Sequence, residues 1–115
     1  MASTPKEKVK TLSLTATGVT NLGINHDRMV NSWIFTVQLG SSSVIKFRKK
    51  IIGSVVADAS ASLTDIEDFS DYTSIDKATG ITASGNYKVV SDGCELILDY
   101  THSANTTVEC HPVMG

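Results

Sequence analysis

Aromatic residues make up only 6% of this chain, so stacking platforms for bases or sugars are few. Charge of one sign is missing too. The formal net charge is -2, and no excess of cations marks a nucleic-acid partner. No apolar run approaches the length of a membrane span, which argues against a membrane partner. The start, Met1 to Lys10, is polar and lacks the apolar core of a signal peptide, which predicts synthesis in the cytosol. Two prolines occur, Pro5 in that polar start and Pro112 near the end, where it fits an edge strand or a strand end. Two cysteines, Cys94 and Cys110, read as reduced thiols packed as small hydrophobes.

What is present is the material of one domain. The chain has 115 residues, 41% hydrophobic and 19% charged, which is globular rather than disordered. A domain of this size hides roughly 65% of its unfolded surface and needs no disulfide or metal to fold. Residues 1–8 read as a flexible polar arm and residues 9–115 as the folded domain.

Period-two alternation predicts strands along most of that domain. Leu12, Leu14 and Ala16 share one face of the first. Gly18 to Asn31 is loop-like. Trp33, Phe35, Val37 and Leu39 share a face of the strongest strand, with Ile34, Thr36 and Gln38 opposite. After the Gly40-Ser41-Ser42 turn, Ile45, Phe47 and Ile51 alternate with Lys46, Arg48 and Lys50. This predicts a hairpin between Trp33 to Leu39 and Ser43 to Ile51. Thr64 and Glu67 have capping-box spacing, which allows a helical turn over Leu63 to Phe69, and Phe69 to Ile75 is a further candidate strand. Asn86 to Val90, then Cys94 to Tyr100, then Thr106 to Cys110 complete the pattern. Seven to eight short strands with turn signals every 8–12 residues describe a single all-β, antiparallel β-sandwich or small barrel. Matching the apolar faces of a last hairpin sets Leu98 opposite Val108 and Leu96 opposite Cys110. Cys94 and Cys110 are then diagonal neighbours about 7–8 Å apart, marginal for a disulfide.

Little in the sequence carries chemistry. Cys110 and His111 point to opposite faces of a strand and do not share a metal. The adjacent His26 and Asp27 lie in a loop that does not fix proton-transfer geometry, and no nucleophile elbow occurs. Gly80 to Gly85 lacks the lysine of a phosphate loop. The expectation is a protein with no enzymatic activity, no cofactor and no metal. One charge cluster remains: Lys46, Arg48, Lys49 and Lys50. It reads as a solvated strand face or as a contact for an acidic surface, such as Asp65, Glu67, Asp68 and Asp71 of a neighbouring copy. Lys6 and Lys8 of the arm join these as candidate interface residues. Ile34, Val90, Ile97 and Val113 oppose the main apolar set of their strands, and are either interfacial or a second layer of core.

The strings Tyr72 to Ile75, Ala78 to Val90 and Gly93 to Tyr100, with Phe35 to Leu39 before them, resemble small β-sandwich accessory virion proteins of tailed bacteriophages. The resemblance covers about two thirds of the chain and is one of pattern rather than motif. Lys46 to Ile51 is more basic than that pattern, and Val55 to Asp71 has no counterpart in it. The likeness implies a jelly-roll-like sandwich, a trimer by preference, made in the host bacterial cytoplasm. Its location would be the virion, where it binds the major capsid protein or another virion protein and decorates and stabilises the capsid, or serves as the base of a head fibre. A tail or connector component, or a carbohydrate- or receptor-binding module, are the competing functions.

Overall fold

The computed structural model describes residues 10–23 and 30–114. The polar arm, Lys6, Lys8, His26 and Asp27 lie outside the described residues. Ten strands occur in the described part: β1 Lys10–Leu14, β2 Gly18–Gly23, β3 Val30–Gln38, β4 Val44–Lys50, β5 Ser62–Leu63, β6 Ile66–Asp68, β7 Ser74–Ile75, β8 Gly85–Val90, β9 Glu95–Thr101 and β10 Thr106–Met114. They form two antiparallel sheets, ordered β1-β10-β3-β8-β6-β7 and β2-β9-β4-β5. The first strand pairs with the last, β2 with β9, β3 with β8, and β4 with β5. Setting aside the inserted β6–β7 hairpin, this is one long ribbon of paired strands wound over on itself, the jelly-roll arrangement.

That winding overturns two pairings expected from alternation. β3 and β4 are not a hairpin; they belong to different sheets. Neither are β9 and β10, so Cys94 and Cys110 are not cross-strand neighbours. Both are free thiols, and burial pushes Cys110 up to about 12. The physical reason is the same in both cases. Two strands with one apolar face each can lie side by side in a sheet, or face each other across a core, and alternation fits both. Here Phe35 of β3 and Phe47 of β4 meet across the sandwich, ring centroids 4.5 Å apart, and both are fully buried. Trp33, Val37, Ile45, Tyr87, Val89, Leu96, Leu98, Tyr100 and Val108 complete the core around them. Each such side chain contributes about 1.5–3 kcal/mol by leaving water.

A buried polar knot joins the two arches that cross between sheets. Tyr100 donates its hydroxyl proton to the Ala104 carbonyl (2.6 Å), with Thr106 Oγ1 at 2.9 Å. Ser43 Oγ accepts from the backbone N–H of Ser103 and Ala104 at 2.9 and 3.0 Å. The Gly40 N–H donates to Thr106 Oγ1 at 2.9 Å. Gly40 is required here, because a Cβ would fall 2.2 Å from the Ala104 carbonyl oxygen.

Other expectations also change. Gly18 to Gly23 is a strand despite its loop-like composition, because its backbone pairs with β9 and Leu22 turns into the core. Leu63 to Phe69 is not helical: Thr64 and Asp65 link β5 in one sheet to β6 in the other. The only helical turn among the described residues is a 3-10 turn, Asp58–Ser60. Phe69 to Thr73 is a turn rather than a strand, and Tyr72 sits in it at φ 59°. Pro112 lies near the end of β10, opposite Trp33 of β3 and past the residues that pair with the described part of β1.

Candidate interaction surfaces

The basic strand β4 turns Ile45 and Phe47 inward and Lys46, Arg48 and Lys50 outward. Its neighbour β9 sets Asp99 beside Lys46, Ile97 beside Arg48 and Glu95 beside Lys50. Most of this charge is engaged within the chain. Arg48 Nε donates to Asp99 at 2.8 Å, and its Nη1 to the Ala61 carbonyl at 2.7 Å. Lys50 Nζ meets Asp58 at 2.7 Å and the Val56 carbonyl at 2.8 Å. Asn21, from β2 on the far side of β9, donates to Glu95 at 2.9 Å and to the Asp58 carboxylate at 3.4 Å. The hydrogen bond from Lys50 is the main cause that holds the Asp58 carboxyl below its ordinary value.

Together these contacts clasp residues 51–61 over the outer face of the smaller sheet. The 3-10 turn packs on β2 and β4, bridging β9 between them. Ile97 therefore has 0% exposure although it points away from the main core, and Ala61 has 2%. Ile97 is a second layer of core.

The acidic stretch divides. Asp68 accepts from the Ser70 N–H and hydroxyl at 2.9 and 2.7 Å, and Asp71 does the same for Thr73 at 3.1 and 2.7 Å. Both carboxylates hold turns, and the bond from the Thr73 hydroxyl is the main reason the Asp71 carboxyl is lowered. Asp65 and Glu67 instead line an open pocket of about 350 Å³ together with Lys49, Lys88 and Asp92. Lys49 is thus brought to Asp65 and Glu67 within one chain, while Arg48 and Lys50 face other partners.

The clasped segment also presents an apolar tip. Ile51, Ile52, Val55 and Val56 are 75%, 52%, 100% and 44% exposed. Ile51 was expected to point inward with Ile45 and Phe47. Instead β4 ends at Lys50, and Ile51 opens a turn closed by the Ser54 N–H on its carbonyl at 3.0 Å, with Gly53 at φ 83°. The base of the tip is fixed by Lys50 on Val56 and by the Gly53 N–H on Glu95 at 3.4 Å. A run of Ile-Ile-Gly-Ser-Val-Val, with its turn residues in the middle, was the signal that could have found this surface. On the larger sheet, Val113, Ser32 and Val90 form one row across the outer face, with Ile34 in the next row. Val90 and Val113 are exposed and Ile34 is half-buried. Phe69 and Tyr72 form a separate exposed pair, edge to face at 6.1 Å.

No protein-family model matches the chain, and no curated protein or solved structure matches it either. The surfaces are therefore read on their own chemistry.

Proposed function

We propose that this protein is a structural component of a tailed-phage virion that binds the major capsid protein or another shell protein and reinforces the shell. The observation that carries the reading is the apolar tip. Aliphatic side chains grouped in water mark a contact surface for another macromolecule. The clasp beneath the tip holds it in one arrangement, so little conformational freedom is lost on docking. Jelly-roll winding supports the reading, since viral shell proteins use it; lectins and cupins use it as well, so the surface and not the fold makes the choice.

The test is a count of this chain against the major shell protein in purified particles, by quantitative mass spectrometry. Hundreds of copies support a lattice-bound role. A few dozen or fewer move the protein to a vertex, connector or tail, and absence from particles overturns the proposal. Val55→Asp alters a fully exposed side chain, so folding is retained while particle binding falls at least tenfold.

The exposed Phe69 and Tyr72 favour a second reading, a carbohydrate-binding module. Their rings stand 72° apart and offer no flat platform for a sugar face, which makes this the weaker reading. Hits on a glycan array that Tyr72→Ala abolishes would raise it above the first.

A further inference from the structure

The two sheets have four edges, and three of them are blunted. β5 and β7 have two residues each, too short to template another strand. β2 breaks its register between Asn21 and Gly23, and its Asn21 side chain is tied to Glu95 and Asp58. These are the devices that keep sheet edges from pairing with other chains.

β1 is neither that short nor broken in register. All five of its residues pair with β10 in unbroken register, with no glycine, no proline and no bulge. Lys10 is its only charge. Among the described residues nothing pairs with its outer edge, where backbone N–H and C=O groups face outward. Its side chains alternate between exposed Thr11 and Ser13 on the outer face, and half-buried Leu12 and Leu14 that pack on the core from the open side of the sandwich.

We infer that β1 is a docking edge for a second copy of this chain, paired antiparallel about a two-fold axis at Leu12. The occupant follows from the sequence of the edge itself. A two-fold pairing must match the strand with its own reverse. Around Leu12 it sets Leu12 on Leu12, Thr11 on Ser13, and Lys10 on Leu14, whose methyl groups the lysine stem covers while its ammonium stays in water. No like charges face each other, the polar positions share the outer face, and the leucines close the open side of both sandwiches. The two six-stranded sheets become one continuous sheet. This inference is independent of the virion reading.

The test uses the full chain in light scattering coupled to size exclusion. The expected mass is twice the 12.3 kDa of the chain. Thr11→Lys with Ser13→Lys sets lysines against lysines across the seam at two exposed positions, so it is expected to give a monomer with unchanged circular dichroism and a melting temperature that no longer rises with protein concentration. Register is read separately: an equal mixture of Thr11→Cys and Ser13→Cys chains cross-links under mild oxidant severalfold more than either chain alone. A wild-type monomer overturns the inference and leaves the edge to an extended segment of another protein. A trimer overturns it, as does a dimer that survives the double lysine change.

Discussion

Ile97 and Ile34 make an instructive pair. Each sits on a central strand, and each points away from the main core, yet Ile97 is fully buried and Ile34 only half. The difference lies in what crosses the sheet. Over the smaller sheet, Arg48, Lys50 and Asn21 hold residues 51–61 across β9. On the larger sheet, Ile34 has His111 and Lys88 as its cross-strand neighbours and stays half-buried. Strand periodicity assigns a side chain to a face; whether that face is dry depends on a segment remote in sequence.

The largest expected effect comes from making the same truncation on both faces. Ile97→Ala empties a filled site and is expected to cost about 3 kcal/mol. Ile34→Ala is expected to cost about 1 kcal/mol or less, since its surroundings are already wet. Urea unfolding of the two variants measures the gap, and equal losses would mean that the clasp does not dry the smaller sheet.

Next is the clasp itself. Arg48→Met keeps the apolar stem but leaves the Ala61 carbonyl and the Asp99 carboxylate without their donor, at about 1 kcal/mol. Lys88→Met, on the open face of the larger sheet, should stay within about 0.5 kcal/mol of wild type. Proteolysis reads the same contrast kinetically, with cleavage within residues 51–57 accelerated by the first change only.

The smallest effect is set by pH. The Asp58 carboxyl is held below its ordinary value, so its share of the clasp is complete above the ordinary carboxylate range. That share is lost as pH falls through the lowered value. Amide exchange at Ser60 and Ala61, corrected for intrinsic rates, should speed up on that acid limb in wild type. In Asp58→Asn the acid step disappears. A step that persists in this variant would assign the titration elsewhere.

Much of the fold was legible in the sequence. The alternation of Trp33, Phe35 and Val37, and of Leu96, Leu98 and Tyr100, identified core faces, and all six are buried. The all-β sandwich class and the strands β3, β4, β8, β9 and β10 follow from such runs. Strand partners did not follow, because an apolar face satisfied by a neighbour across the core looks the same as one shared within a sheet. β2 was hidden by Asn21 and by Gly18 and Gly23, whose weak strand preference is overridden by pairing with β9. The surfaces were less legible still. The charges of β4 were visible, but Asp99 is brought beside them only by the pairing of β4 with β9, and Asp58 and the Ala61 carbonyl only by the loop. The apolar tip was hidden because Ile51 continued the alternation of a strand that in fact stops one residue earlier.

The place of β10 bears on how the chain is made. The last strand lies between the first and the third, hydrogen-bonded to both over much of its length. During synthesis, β1 and β3 leave the ribosome long before the strand that separates them. Until residues 106–114 emerge, each carries an open edge that its neighbour on another nascent chain can occupy. Closure of this sandwich thus waits on the emergence of β10. The yield of native protein is expected to depend on translation rate and on chaperones that shield strand edges, more than on the stability of the finished fold.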